Sequence, residues 1–96
     1  MTPEGKLVKA LDRLARRYGG TTRKLSYEAR AGAPDRLVLL DGVHFAIELK
    51  RPGAMPPEHQ RREHERLRAA GLHVYVCDSV ESLESAIRYE LGSDDE

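Results

Sequence analysis

Ninety-six residues suffice for one buried core and fall short of two. The chain is 40% hydrophobic and 33% charged, which excludes a fully disordered chain, and its single cysteine, Cys77, excludes an internal disulfide framework. Sixteen basic and sixteen acidic side chains cancel, but their distribution is polarised: residues 1–30 carry net +5 and residues 76–96 carry net −6. No apolar run reaches 18 residues and no signal peptide is evident, so a reducing, cytoplasmic compartment and no membrane partner are expected.

Thr2 and Pro3 read as the N-cap and first position of a helix. Leu7, Leu11, Leu14 and Tyr18 then recur at helical spacing until Gly19-Gly20. Its outer face is basic, with Lys6, Lys9, Arg13, Arg16 and Arg17, and Glu4 lies in the first turn, where the helix dipole favours a carboxylate. A weakly patterned strand is expected over residues 22–29, followed by a loop at Arg30-Ala31-Gly32-Ala33-Pro34, where Gly and Pro break both periods.

Residues 35–40 and 43–50 form two strand-like runs separated by Asp41-Gly42, a dipeptide suited to a two-residue type I′ hairpin. With Leu40 opposite Val43, Leu39 faces His44, Leu37 faces Ala46, and Asp35 faces Glu48. Alternation puts Lys50 on the face of Glu48, with Val38, Leu40, Phe45, Ile47 and Leu49 on the other. Both faces are mostly apolar, so cover on each side is expected. Pro56-Pro57 can start a second helix in which Gln60, His64 and Leu67 share a face and Gly71 is the stop. The short connection from Lys50 brings Gln60 near the carboxylate end of the hairpin. His73 to Cys77 reads as a strand, and Asp78-Ser79-Val80-Glu81 as a capping box for a third helix with Val80, Leu83 and Ile87 inward. The order predicts one α/β domain over residues 1–92 around a mixed sheet, with an acidic, disordered tail at 93–96.

Two adjacent carboxylates repel unless a proton or cation separates them, so Asp35 beside Glu48 is a costly pair that a divalent metal would relieve. Magnesium takes oxygen ligands from one or two carboxylates with waters, and the Leu49 backbone carbonyl could complete the protein's share. Lys50 could orient or deprotonate a water, or offset charge on a phosphate. An acid-x-Lys tripeptide alone is weak, since this composition yields about 0.7 by chance. The other candidates are weaker. His59 and His64 are five apart, about 140° around a helix, which is not a zinc pair, and Cys77 sits in an apolar strand where packing is expected. Arg51, Arg61, Arg62, Arg66 and Arg68 could meet phosphates, yet Glu58, Glu63 and Glu65 interleave with them as surface pairs would.

Gly32-Ala33-Pro34-Asp35, the Asp41-Gly42 hairpin, Ile47-Glu48-Leu49-Lys50-Arg51-Pro52-Gly53 and Gln60 in the next helix together resemble the PD-(D/E)XK nuclease superfamily. Within it, the string is most similar to the virus-type replication-repair nuclease (VRR-NUC) domains, over about residues 30–77, with the first helix matching loosely. The resemblance implies a restriction-endonuclease-like αβββαβ core, a mixed central sheet flanked by helices. It implies a metal-dependent endonuclease hydrolysing DNA phosphodiesters, in which Asp35 and Glu48 bind Mg²⁺ or Mn²⁺, Lys50 serves the attacking water and Gln60 supports the site. In many members an acid on the first helix completes the metal shell, and Glu4 is the candidate here. Members that stand alone are similar in size to this chain and form homodimers on branched DNA such as four-way (Holliday) junctions, a substrate of DNA repair. The rival readings are a non-catalytic nucleic-acid-binding or assembly module that contacts phosphates through the basic first helix, and a hydrolase of other phosphoesters.

Overall fold

The computed structural model describes residues 1–92, so the expected acidic tail at 93–96 lies outside the described residues. Helix α1 (Pro3–Arg17) starts where Thr2 Oγ1 accepts a hydrogen bond from the Gly5 N–H at 3.0 Å. It buries Leu7, Ala10, Leu11, Leu14 and Ala15, while Tyr18 is half-buried and donates to Glu84 at 3.0 Å. Gly20 carries the chain into the sheet, where a Cβ would stand 2.0 Å from the Leu39 carbonyl oxygen, so no other residue fits.

Strand β1 (Thr21–Lys24) is shorter than expected. Beyond it Ala29 adopts φ 63° and Tyr27 turns to donate to Glu63 on the second helix at 2.5 Å, so the chain leaves the sheet before residue 29. β2 (Arg36–Leu40) and β3 (Val43–Leu49) pair antiparallel with Leu40 opposite Val43, Leu39 opposite His44 and Leu37 opposite Ala46, the register that the two-residue loop demands. The turn itself differs from expectation. Gly42 has φ 75°, but Ala29 is the only described non-glycine residue with positive φ, so Asp41 does not take the left-handed conformation that type I′ requires. The ladder also stops at Arg36↔Ile47, one pair short of Asp35 and Glu48. Pro34 has no N–H to continue it, and the Asp35 side chain takes the N–H of Leu49 instead.

Helix α2 (Glu58–Ala69) carries the chain over to β4 (Val74–Cys77), which pairs parallel with β3; the sheet order is β1-β2-β3-β4, a mixed sheet. Helix α3 (Val80–Glu90) follows. Its capping box joins Ser79 to Ser82, whose hydroxyl bonds the Ser79 N–H, so the cap falls one residue later than Asp78 with Glu81. Val80, at the first helical position, is 48% exposed, contrary to expectation, whereas Leu83, Ala86 and Ile87 are buried.

α1 and α3 cover one face of the sheet, where Val38, Leu40, Phe45, Ile47 and Leu49 meet Leu7, Leu11, Leu14, Leu83 and Ile87. Each large side chain fully buried here, such as Leu11, Phe45 or Ile47, contributes about 1.5–3 kcal/mol. Ala46 and Glu48 of β3 point to the other face, beneath α2, whose buried residues are Glu63 and His64. Cys77 is buried in the core, and burial pushes its thiol up to about 11, so it packs rather than reacts. Among the described residues, no helix is long and apolar enough to cross a membrane.

Candidate active site

β1 ends, β2 begins and β3 ends at one rim of the sheet, and the first turns of α1 and α2 converge there. Between them lies a cleft of about 350 Å³. It gathers Asp35, Glu48, Leu49, Lys50 and Gln60 together with Glu4. All six candidate residues therefore meet at one place, although 56 positions separate the first from the last in sequence.

Asp35 Oδ2 accepts from the Leu49 N–H at 2.7 Å, which pins the carboxylate against the end of β3. Glu48 is 1% exposed. Lys50 Nζ lies 3.0 Å from Glu48 Oε2, two residues on along the same face, as strand alternation requires. Burial holds the Glu48 carboxyl above the usual range; the hydrogen bond from Lys50 pulls it back, the charge of Asp35 pushes it up again, and the Gln60 amide lowers it slightly.

Behind Glu48 stands His64, 1% exposed, with Nε2 at 4.0 Å from Glu48 Oε1. Burial keeps this imidazole below its ordinary range, so it is neutral near pH 7. Glu48 Oε1, Gln60 Oε1 and His64 Nε2 are buried without hydrogen-bond partners, a polar pocket with unmet demand beside the carboxylate pair. His64 is a site neighbour that the sequence offers only as a face-mate of Gln60 and Leu67 and as a poor zinc partner for His59. The i, i+4 spacing from Gln60 was the signal, since it places both on one face of α2.

Lys24 and Arg36 also line the cleft and were not singled out from sequence. The α2 arginines are mostly occupied: Arg62 pairs with Glu58, Arg66 with Glu63 and Arg68 with Glu65, while Arg61 donates to the Pro56 carbonyl. Glu63 is 5% exposed and also takes Arg30 at 3.2 Å, so this cluster ties the loop before Asp35 to α2.

The residues fit a hard divalent cation. The carboxylates of Asp35 and Glu48, one Glu48 oxygen of which is unsatisfied, match the one or two carboxylates that Mg²⁺ or Mn²⁺ accepts from a protein, with waters completing the shell, and Leu49 lines the same cleft. Glu4 lines the cleft, but among the described residues no three His, Cys, Asp or Glu side chains are grouped closely enough to hold a metal by themselves.

Comparisons with known proteins bear on the fold and the family. No protein-family profile matches the chain. "Putative nuclease p44" of Acyrthosiphon pisum secondary endosymbiont phage 1 is 43% identical over 77 residues, covering 79% of this chain and 83% of its own length. A solved structure described as a VRR-NUC domain superposes with a TM-score of 0.85 at 42% identity, over 93% of this chain and 98% of that one. A second, described as a VRR-NUC domain protein, shares the fold at 17% identity with a TM-score of 0.76, over 96% and 90%. With a mixed sheet, helices on both faces and this level of identity across nearly its whole described length, the chain belongs to the VRR-NUC family of nuclease domains.

Proposed function

We propose that this protein is a Mg²⁺-dependent endonuclease, with Mn²⁺ as a substitute, that hydrolyses DNA phosphodiester bonds in branched DNA such as four-way junctions. The observation that carries the reading is the convergence of Asp35, Glu48 and Lys50 on one cleft, with Lys50 Nζ 3.0 Å from the Glu48 carboxylate. The nuclease name of the phage relative supports it.

Asp35, Glu48 and the Leu49 carbonyl would hold the ion, with Glu4 as a further carboxylate on the α1 side of the cleft. When bound, the ion polarises a phosphate oxygen and makes water a stronger acid. The protein's own residues do the rest. Asp35 keeps its orientation because Leu49 donates to it, so this carboxylate need not reorganise when substrate enters. Lys50 is placed to orient the attacking water and to offset the charge that gathers on the phosphate in the transition state. Gln60 stands beside the Glu48 carboxylate in the cleft, where its amide favours the charged form and supports the site.

A domain of this size has little surface with which to bracket a duplex, so the reading includes a symmetric homodimer presenting two sites to the DNA. The lone thiol, buried in the core, suits action in the cytoplasm. The experiment follows labelled four-way junction, nicked, linear and single-stranded DNA with Mg²⁺, Mn²⁺ or EDTA, comparing the wild type with Lys50→Ala. Metal-dependent cleavage of the junction that falls at least 100-fold in the variant is expected. Binding without cleavage on every substrate would leave the non-catalytic module as the function.

A further inference from the structure

Lys24 and Arg36 are direct cross-strand partners at the last rung of the β1–β2 ladder. Like charges in that position repel, and neighbouring acids usually relieve them. Here none does: among the described residues, no carboxylate oxygen lies within ion-pair distance of either side chain, a state they share with exposed cations such as Lys6 and Arg23 but not with Lys50, the other cation of the cleft, which pairs with Glu48. Glu4, the acid on the same wall of the cleft, pairs with neither.

Strand alternation puts Arg36 on the face of Val38 and Leu40, the face covered by α1, whereas Asp35, Glu48 and Lys50 belong to the α2 face. The cleft wraps around the rim of the sheet and is lined by both sets. A substrate seated in it therefore meets carboxylates and Lys50 on one side and two unpaired cations on the other. A polynucleotide whose scissile phosphate lies on the side of the carboxylates and Lys50 would bring a neighbouring phosphate to the two cations on the other side.

We propose that Lys24 and Arg36 form a phosphate clamp that grips the backbone of the cleaved strand beside the scissile phosphate, on the α1 side of the site. The clamp rests on the nuclease reading and adds to it the direction in which the strand runs across the rim. Exposed Lys6, Lys9 and Arg13 on α1 extend the same positive field.

The test uses the full chain in EDTA, where cleavage is absent, and measures fluorescence anisotropy of a labelled duplex over a range of NaCl concentrations. Lys24→Gln, Arg36→Gln and the double variant are compared with Arg23→Gln, a neighbour that points to the opposite face of β1 and does not line the cleft. Each lost contact is expected to flatten the slope of log Kd against log salt by about 0.9, and the double variant to bind about tenfold more weakly at 0.1 M salt. Lys24 is exposed, so its variant folds and keeps the test decisive if Arg36→Gln does not. An unchanged slope in Lys24→Gln, or an equal loss in Arg23→Gln, overturns the clamp. Wild-type protein that binds DNA with these slopes but cleaves nothing in any divalent metal overturns the nuclease reading, and with it the clamp's place beside a scissile phosphate, while the phosphate contact of Lys24 and Arg36 stands.

Discussion

The carboxylate of Asp35 accepts the N–H of Leu49 at 2.7 Å, closing the β2–β3 hairpin with a side chain where Pro34 cannot continue the backbone ladder. One hydrogen bond thus ends the sheet and aims the carboxylate into the cleft. Asn at this position can still accept that N–H, so Asp35→Asn is expected to keep the fold and lose only the charge. The wild type should gain thermal stability with Mg²⁺, by about 1.4 kcal/mol at ten times Kd, and Asp35→Asn should gain little. Calorimetric scans with Mg²⁺ and with EDTA read this directly, and an equal gain in both proteins would remove Asp35 from the metal site. Cleavage should fall by about 100-fold or more in the same variant.

Glu48 offers a test of opposite sign. Burial raises its carboxyl pKa, so its protonated form favours folding: that contribution is complete below the unfolded pKa and is lost as pH rises through the folded value. Glu48→Gln stays neutral at every pH. In EDTA it is expected to melt a few degrees above the wild type at pH 8, about 1 kcal/mol, and to lose that advantage toward pH 4, while being inactive at both. Melting curves across this range check it, and an advantage that grows toward acid would contradict the burial argument.

His64 behaves in the reverse way. Its folded pKa is lowered by burial, so it stabilises the fold above the unfolded pKa of about 6.5 and that contribution is lost as pH falls through the window below it. His64→Ala empties a fully buried site and is expected to cost about 2 kcal/mol or more at pH 7.5. The cost should shrink at pH 5.5, where the wild type is already weakened. Urea titrations at the two pH values give the comparison.

Glu63 couples the loop before Asp35 to α2. The hydrogen bond from Tyr27, then those from Arg66 and the charge of Arg30, hold its carboxyl below the usual range, and burial together with Glu63 pushes the Tyr27 hydroxyl up to about 12. A lowered carboxyl pKa stabilises the fold above the unfolded value and loses that contribution as pH falls through the folded one. Glu63→Gln should therefore melt below the wild type at pH 7, with the gap closing below pH 4. Amide exchange over residues 25–34 should accelerate in the variant; protection there equal to wild type would show that the loop is held by other contacts.

Local rules made most of the fold legible in the sequence. The Thr2-Pro3 start, the i, i+3, i+4 leucines of α1, the Asp41-Gly42 loop and the register it sets all act between residues close in sequence. The same register placed Asp35, Glu48 and Lys50 together, because period-two alternation leaves no freedom once the loop length is set. The misplaced features were those decided by competition. Asp41 and Gly42 suit several turns, Ser79 and Asp78 both make good caps, and the end of β1 depends on Tyr27 finding Glu63, 36 residues away.

What the sequence determined by itself is the set of elements, the pairing of the hairpin and the chemistry of the acid-x-Lys face. Only the tertiary structure decided that His64 stands 4.0 Å behind Glu48 and that Lys24 and Arg36 share the cleft from the opposite side of the sheet. These relations arise from how α1 and α2 pack across the two faces, and long-range packing has no period in the sequence to announce it.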